Sequence, residues 1–201
     1  MIEQVFWGLI LDTRLKTKRE VPHFCAMEKN SMENLGRMSV SDFKSQPKLP
    51  LVLVLDSVRS GLNVGSIFRT ADAFALEKIL LCGITAQPPH REILKTALGS
   101  TDSVDWAYFA TSVEAVQALK TAGYKVLAVE QTTKKIWLQD FLAEKDASYA
   151  FVLGNEVEGV DNETLAICDG VIEIPQFGTK HSLNVAVAAG IVVWEFVRKA
   201  K

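Results

Sequence analysis

LVLVLDSVRSGLNVGSIFRTADAF, residues 51–74, decides the fold. Its first five residues are an unbroken apolar run, the pattern of a strand covered on both faces, as strands are in parallel sheets. After a short polar loop, Val64, Ile67, Phe68, Ala71, Phe74 and Ala75 recur at the spacing of one buried helix face, which predicts a helix over 63–76. That helix carries Arg69 two turns in, where the macrodipole gives a cation no reward. A second requirement must account for it.

The alternation continues outward. KILLCG (78–83), VDWAYF (104–109), KVLAVE (125–130), YAFVLG (149–154) and VIEIP (171–175) read as strands. Helices are predicted over 90–100, over 112–123 with Gly123 in the C-terminal glycine position, and from Leu183 to Arg198. This order predicts an α/β domain, a mainly parallel sheet with helices on both faces. The last helix is apolar nearly all round, which points to packing against a second subunit as well as the core. Its apolar run, VAVAAGIVVW (185–194), is too short to span a bilayer. VFWGLIL (5–11) follows Glu3 rather than basic residues and lacks a cleavage site, so it fails as a signal peptide.

Residues 1–48 read as an N-terminal extension and 49–201 as the α/β domain. Met27 is a plausible second start, and 31–45 are expected to hold one or two short helices with Ser41 as a cap. The formal net charge of −2 and pI near 6.0 exclude a strongly basic nucleic-acid binder, so any such contact must come from a local patch. The first fifty residues hold eight Lys/Arg against six Asp/Glu, with Arg14, Lys16, Lys18 and Arg19 clustered. Taken alone, that cluster reads as a solvated loop. Cys25, Cys82 and Cys168 form no C-x-x-C pair, and an odd count argues against a disulfide framework. Reduced thiols in a cytoplasmic protein are expected.

Ligands bind at the carboxyl ends of the strands in open parallel sheets. Four loops there collect polar residues: DSVRSGLNVGSIFR after 51–55, QTTKK with Thr132, NEVEGV after 149–153, and QFGTKHSLN after 171–175. Each has a plain alternative. Asn63 reads equally as a helix cap or a site residue. Arg69 has Asp72 within i+3 reach. Gly154 and Gly159 fit turns, Ser182 fits a cap of the last helix, Glu156 and Glu158 fit an exposed loop, and His181 fits the surface. No G-x-G-x-x-G follows the first strand, no P-loop exists, and no G-x-S-x-G elbow is present. His23, His90, His181 and the cysteines lack metal-ligand spacing, so no metal is expected.

Read together, the loops carry a stronger signal. N-x-G-x-x-x-R (Asn63, Gly65, Arg69), LGNEVEGV (153–160) and IPQFGTKHSLNVAVAAGI (174–191) strongly resemble the three ordered motifs of SpoU-type (TrmH-like) RNA ribose 2′-O-methyltransferases, in the SPOUT superfamily. The resemblance covers roughly residues 50–198.

It implies a SPOUT fold with a C-terminal trefoil knot. It implies S-adenosylmethionine as cofactor, held among Thr132, Gly154, Ile174 and Leu183, and methyl transfer to a ribose 2′-hydroxyl of tRNA or rRNA. It implies Arg69, Asn63, Glu156, Ser182 and Asn184 as the catalytic set. A guanidinium stays protonated at neutral pH, so phosphate binding suits Arg69 better than proton abstraction. It further implies a homodimer through the last helix, with no membrane and no metal. A base methyltransferase of the same superfamily and a non-catalytic knotted RNA-binding module rank below this expectation.

Overall fold

The apolar run that opens the domain lies inside β1 (Leu49–Asp56), near the middle of a seven-stranded sheet of order β3-β2-β1-β6-β4-β7-β5. The computed structural model describes residue 36, residues 38–180 and residues 182–200. The basic cluster at Arg14, Lys16, Lys18 and Arg19, the alternative start Met27, Cys25, His23 and His181 lie outside the described residues.

Every strand pair is parallel: β1 with β2 (Leu76–Cys82) and β6 (Tyr149–Leu153), β2 with β3 (Trp106–Phe109), β4 (Lys125–Val129) with β6 and β7 (Gly170–Glu173), and β7 with the short β5 (Ile136–Trp137). Leu51, Leu53 and Leu55 point into one core, Val52 and Val54 into another. The first core lies under α2 (Gly61–Ala73) and α7 (Val185–Ala200), through Ile67, Phe68, Val192 and Phe196. The second lies under α5 (Ser112–Thr121), through Ala115, Val116 and Leu119. Two covered faces explain the unbroken apolar run, since neither parity of the pleat meets water.

Local chemistry moves several expected boundaries. Helix α2 starts two residues early because Ser60, not Asn63, is its cap: the Ser60 hydroxyl accepts from the Asn63 backbone N–H at 3.3 Å. That leaves the Asn63 side chain for other work. Helix α1 (Val40–Ser45) is capped by Ser39 rather than Ser41. The helix expected over 90–100 divides into α3 (Arg91–Ala97) and α4 (Ser100–Ser103), because Leu98 and Gly99 adopt φ of +51° and +93°. Strand β5, a 3₁₀ turn at Leu138–Asp140 and α6 (Asn162–Ile167) had no expectation; each is too short to show a period.

Two buried polar groups fasten the loops beyond β1. Thr85 Oγ1 accepts from Val58 N–H at 2.9 Å and donates to the Leu55 carbonyl at 3.1 Å. Asp56, 4% exposed, accepts from the Asp161 N–H at 2.9 Å and so ties the end of β1 to the start of α6. Among the described residues no helix is long and apolar enough to cross a membrane.

Gly65, the motif glycine, faces α3. A Cβ there would run into the Ile93 carbonyl and the Thr96 hydroxyl. Gly65→Ala must push α3 off α2, and overpacking of this kind costs about 1–3 kcal/mol. Urea unfolding should show a lower midpoint with an unchanged slope.

Candidate active site

A cavity of about 530 Å³ opens at the carboxyl ends of β4, β6 and β7. Val129, Leu153, Val185 and Ala188 line its apolar side, and the loops after β4, β6 and β7, together with the segment that enters α7, supply the rest. Six of the expected site residues line it: Gly154, Glu156, Ile174, Ser182, Leu183 and Asn184. They follow β6 and β7, whose ends reach one edge because all strands run in the same direction.

A chain of side-chain hydrogen bonds joins the three motifs at the cavity mouth. Asn184 Oδ1 accepts from the N–H groups of Ala186 and Val187, at 2.9 and 3.3 Å, and so caps α7. The cap is therefore Asn184 rather than Ser182. Asn184 Nδ2 donates to Asn63 Oδ1 at 3.1 Å, and Asn63 Nδ2 donates to Glu156 Oε1 at 3.0 Å. The second carboxylate oxygen of Glu156 accepts from the Arg59 N–H at 3.4 Å. Partial burial pushes the Glu156 carboxyl up. Hydrogen bonds from its own backbone, Asn63 and the Arg59 and Ser60 N–H groups outweigh that and hold it below its usual range. Glu156 is an ionised acceptor at neutral pH, and a weak base.

The loop after β6 folds back on itself. Asn155 and Gly159 exchange two backbone hydrogen bonds, of 3.1 and 3.2 Å, while Asn155 Oδ1 accepts from Val157 and Glu158 N–H at 2.8 Å. A Cβ on Gly154 would strike the backbone of Gly159 and Val160. The close approach that Gly154 permits is thus to its own chain. Glu130, at the end of β4, holds this loop by accepting from Val160 N–H at 3.0 Å and from Gln131 N–H at 2.8 Å.

Glu130, Gln131 and Gln176 line the cavity and were not among the expected residues. A carboxylate ending an otherwise apolar strand at the ligand edge was the available signal for Glu130. Glu173, also in the lining, has an Oε2 without an aligned hydrogen bond, neutralised by Lys135 Nζ at 2.7 Å. Three expected residues stand outside the lining: Asn63, which reaches it through Glu156 and Asn184, Thr132 and Arg69. The Thr132 hydroxyl donates to the Lys134 carbonyl at 2.7 Å. Arg69 lines a separate cavity between α2 and α3 and has no ion pair or hydrogen bond among the described residues; it neither pairs with Asp72 nor meets Glu156. Burial pushes the Cys82 thiol up to about 12 and Cys168 up to about 11, so neither offers a thiolate at neutral pH. Among the described residues no group of three His, Cys, Asp or Glu is placed to hold a metal ion.

The family model described as the SpoU rRNA Methylase family matches residues 50–194. The chain is 30% identical over 168 residues to the 23S rRNA (guanosine-2′-O-)-methyltransferase RlmB of Vibrio parahaemolyticus, covering 83% of this chain and 66% of that protein. It is 29% identical to RlmB of Neisseria meningitidis, covering 75% and 59%. The chain thus spans less than two thirds of the length of these relatives. Among solved structures it resembles an AdoMet-bound rRNA methyltransferase from Sinorhizobium meliloti, with 30% identity, a TM-score of 0.69, and 81% of this chain and 61% of that one covered. The A. aeolicus TrmH/SpoU tRNA modifying enzyme aligns at 25% identity and a TM-score of 0.68, covering 78% of each chain.

The hydrogen-bond chain predicts an asymmetry between two variants. Asn63→Ala removes a donor and costs about 1 kcal/mol. Asn63→Asp also sets a second carboxylate against Glu156 and should cost about 1 kcal/mol more at pH 7.5. In the wild type the Glu156 pKa is depressed, so its contribution is complete above the unfolded value and lost as pH falls through the folded one. In Asn63→Asp the pair's pKa is raised, so the added penalty disappears on acidification. Denaturant midpoints at pH 7.5 and pH 4 should show the gap between the variants closing.

Proposed function

This chain belongs to the SpoU rRNA Methylase family, and from that premise we propose that it transfers a methyl group from S-adenosylmethionine to a ribose 2′-hydroxyl of tRNA or rRNA. The observation that carries this reading is the hydrogen-bonded chain Glu156–Asn63–Asn184, which gathers one residue from each motif at one cavity mouth.

The cavity suits the cofactor chemically. Four carboxylates, on Glu130, Glu156, Glu158 and Glu173, are in its lining and no lysine or arginine is. That balance favours a cationic ligand with an apolar body. Gly154, Ile174 and Leu183 would hold it, with Thr132 in the loop just past Gln131. When bound, the cofactor supplies an electrophilic methyl on sulfonium, so the protein's task is alignment. Glu156, Asn63 and Asn184 would orient the sugar, Ser182 stands beside the α7 N-terminus, and Arg69 would bind the adjacent phosphate in bidentate fashion. The division into an extension over 1–48 and a catalytic domain over 49–201, the trefoil knot and a cytoplasmic location belong to the same reading.

Arg69 lines a different cavity from Glu156 in the one chain, which supports a site completed by a second copy. Helix α7 presents Val187, Ile191 and Trp194 to solvent along one stripe, 52%, 36% and 57% exposed. Gly190 sits among them, and a Cβ there would meet nothing within the chain. A mid-helix glycine costs about 1 kcal/mol relative to alanine. Close approach of a partner helix is a reason to keep it. The aromatic ring of Trp194 rests 6.1 Å from that of Phe74, in the wall of the Arg69 cavity, so this stripe and that cavity adjoin.

Tritiated cofactor incubated with tRNA and rRNA transcripts, followed by nucleoside analysis, tests the activity: a ribose-methylated nucleoside supports it, and a methylated base or no transfer overturns it. Arg69→Ala should lower transfer at least about a hundredfold while equilibrium dialysis shows cofactor binding retained. Ile191→Glu should convert a dimer to a monomer by light scattering and abolish transfer. A wild-type chain fully active as a monomer would refute the shared site.

A further inference from the structure

The second cavity, between α2 and α3, has a volume of about 480 Å³ and opposite chemistry to the first. Ser66, Arg69, Thr70, Phe74, Lys95 and Thr96 line it, and it holds no carboxylate. Arg69 and Lys95 reach it from different helices, and neither has an ion pair or hydrogen bond to any described residue. Six other described Lys and Arg, among them Lys120, Lys135 and Arg198, are paired with carboxylates. Other described cations, such as Arg59 and Lys145, also lack a carboxylate partner; what distinguishes Arg69 and Lys95 is that they converge from two helices on one hollow that holds none.

The hydroxyls do not satisfy these cations' role either. Ser66 Oγ donates to the Leu62 carbonyl at 2.9 Å, Thr70 Oγ1 to Ser66 at 3.2 Å, and Thr96 Oγ1 to Leu62 at 2.8 Å. Their protons are spent on backbone, so the guanidinium and the ammonium are the free donors. An arginine offers a fork to the two non-bridging oxygens of a phosphodiester, and a lysine beside it adds a point charge to the same anionic group. The close approach that builds the hollow is set by Gly65 against Ile93 and Thr96.

We propose that this cavity binds a phosphodiester group of the RNA, with Lys95 as a second phosphate ligand beside Arg69. The proposal rests on the RNA-methyltransferase reading and extends it to a residue outside the three motifs. A chain of net charge −2 cannot draw RNA by its overall field, so a local two-cation site carries weight out of proportion to its size. Lys95 holds the backbone and leaves the reacting atoms alone; it is a positioning residue.

The test compares full-length wild type, Lys95→Gln and Lys95→Arg on a transcript and on unrelated RNAs of equal length. Filter binding across a salt series should give Lys95→Gln a log–log slope smaller by about 0.7–0.9, the loss of one phosphate contact. Affinity should fall about tenfold at low salt and equally for every RNA sequence, with the slope restored in Lys95→Arg. KM for RNA should rise while kcat at saturating RNA and cofactor affinity stay at wild-type values. An unchanged slope and KM in Lys95→Gln would overturn the assignment. So would a shift in its oligomeric state, which would make Lys95 a contact to a second copy instead. A wild type that binds RNA but transfers no methyl sinks the methyltransferase reading and leaves the salt slope to judge Lys95. A wild type that binds no RNA refutes both.

Discussion

The amino end of α7 dictates the direction of the hydrogen bonds that assemble the candidate site. Its free N–H groups demand an acceptor, and Asn184 Oδ1 supplies it. The amide then has only its NH₂ to offer, which obliges Asn63 to present its oxygen and, in turn, its own NH₂ to Glu156. A carboxylate at the far end is the one acid side chain that accepts without reservation when ionised. The three motifs are therefore coupled by polarity as well as by proximity. A side chain of the wrong donor sense at any link leaves two groups facing each other with nothing to share.

This chain of contacts needs the sheet beneath it. Parallel pairing sends the ends of β1, β4, β6 and β7 to one edge, and burial of both faces of β1 keeps that edge rigid. Glycines then set the fine spacing. Gly65 lets α3 approach α2, and Gly154 lets the loop after β6 close on Gly159 and Val160. In both places the absent Cβ serves contact between segments of the protein itself. Glu130 and Asp56 finish the construction by accepting backbone N–H groups of that same loop and its exit.

The charges are sorted in space. Carboxylates line the cavity at the sheet edge, and unpaired cations line the one between α2 and α3. Such a separation suits a cationic small molecule on one side and a polyanion on the other. The exposed apolar stripe of α7 runs beside the cationic hollow, where Phe74 and Trp194 meet.

Much of this was legible in the residues themselves. The run at 51–55 announced a strand buried on two sides, and the apolar period after it announced α2, because both signals are local and survive in one dimension. The ordered motifs marked six residues that line the cavity, and Asn63 hydrogen-bonded to two of them, since chemistry-bearing loops follow strands in a parallel sheet. Other features had no local signature. Ser60 rather than Asn63 caps α2, a choice between neighbours three residues apart that propensity does not resolve. Glu130 read as the end of a strand until β6 brought its loop over it. Lys95 lay within a predicted helix and carried no signal of its own until α3 lay against α2. Composition and period determined that a two-faced parallel sheet would form. Which side chains meet across it, which way each amide points, and which cations go without a partner were decided by packing, because those are distances between residues dozens of positions apart.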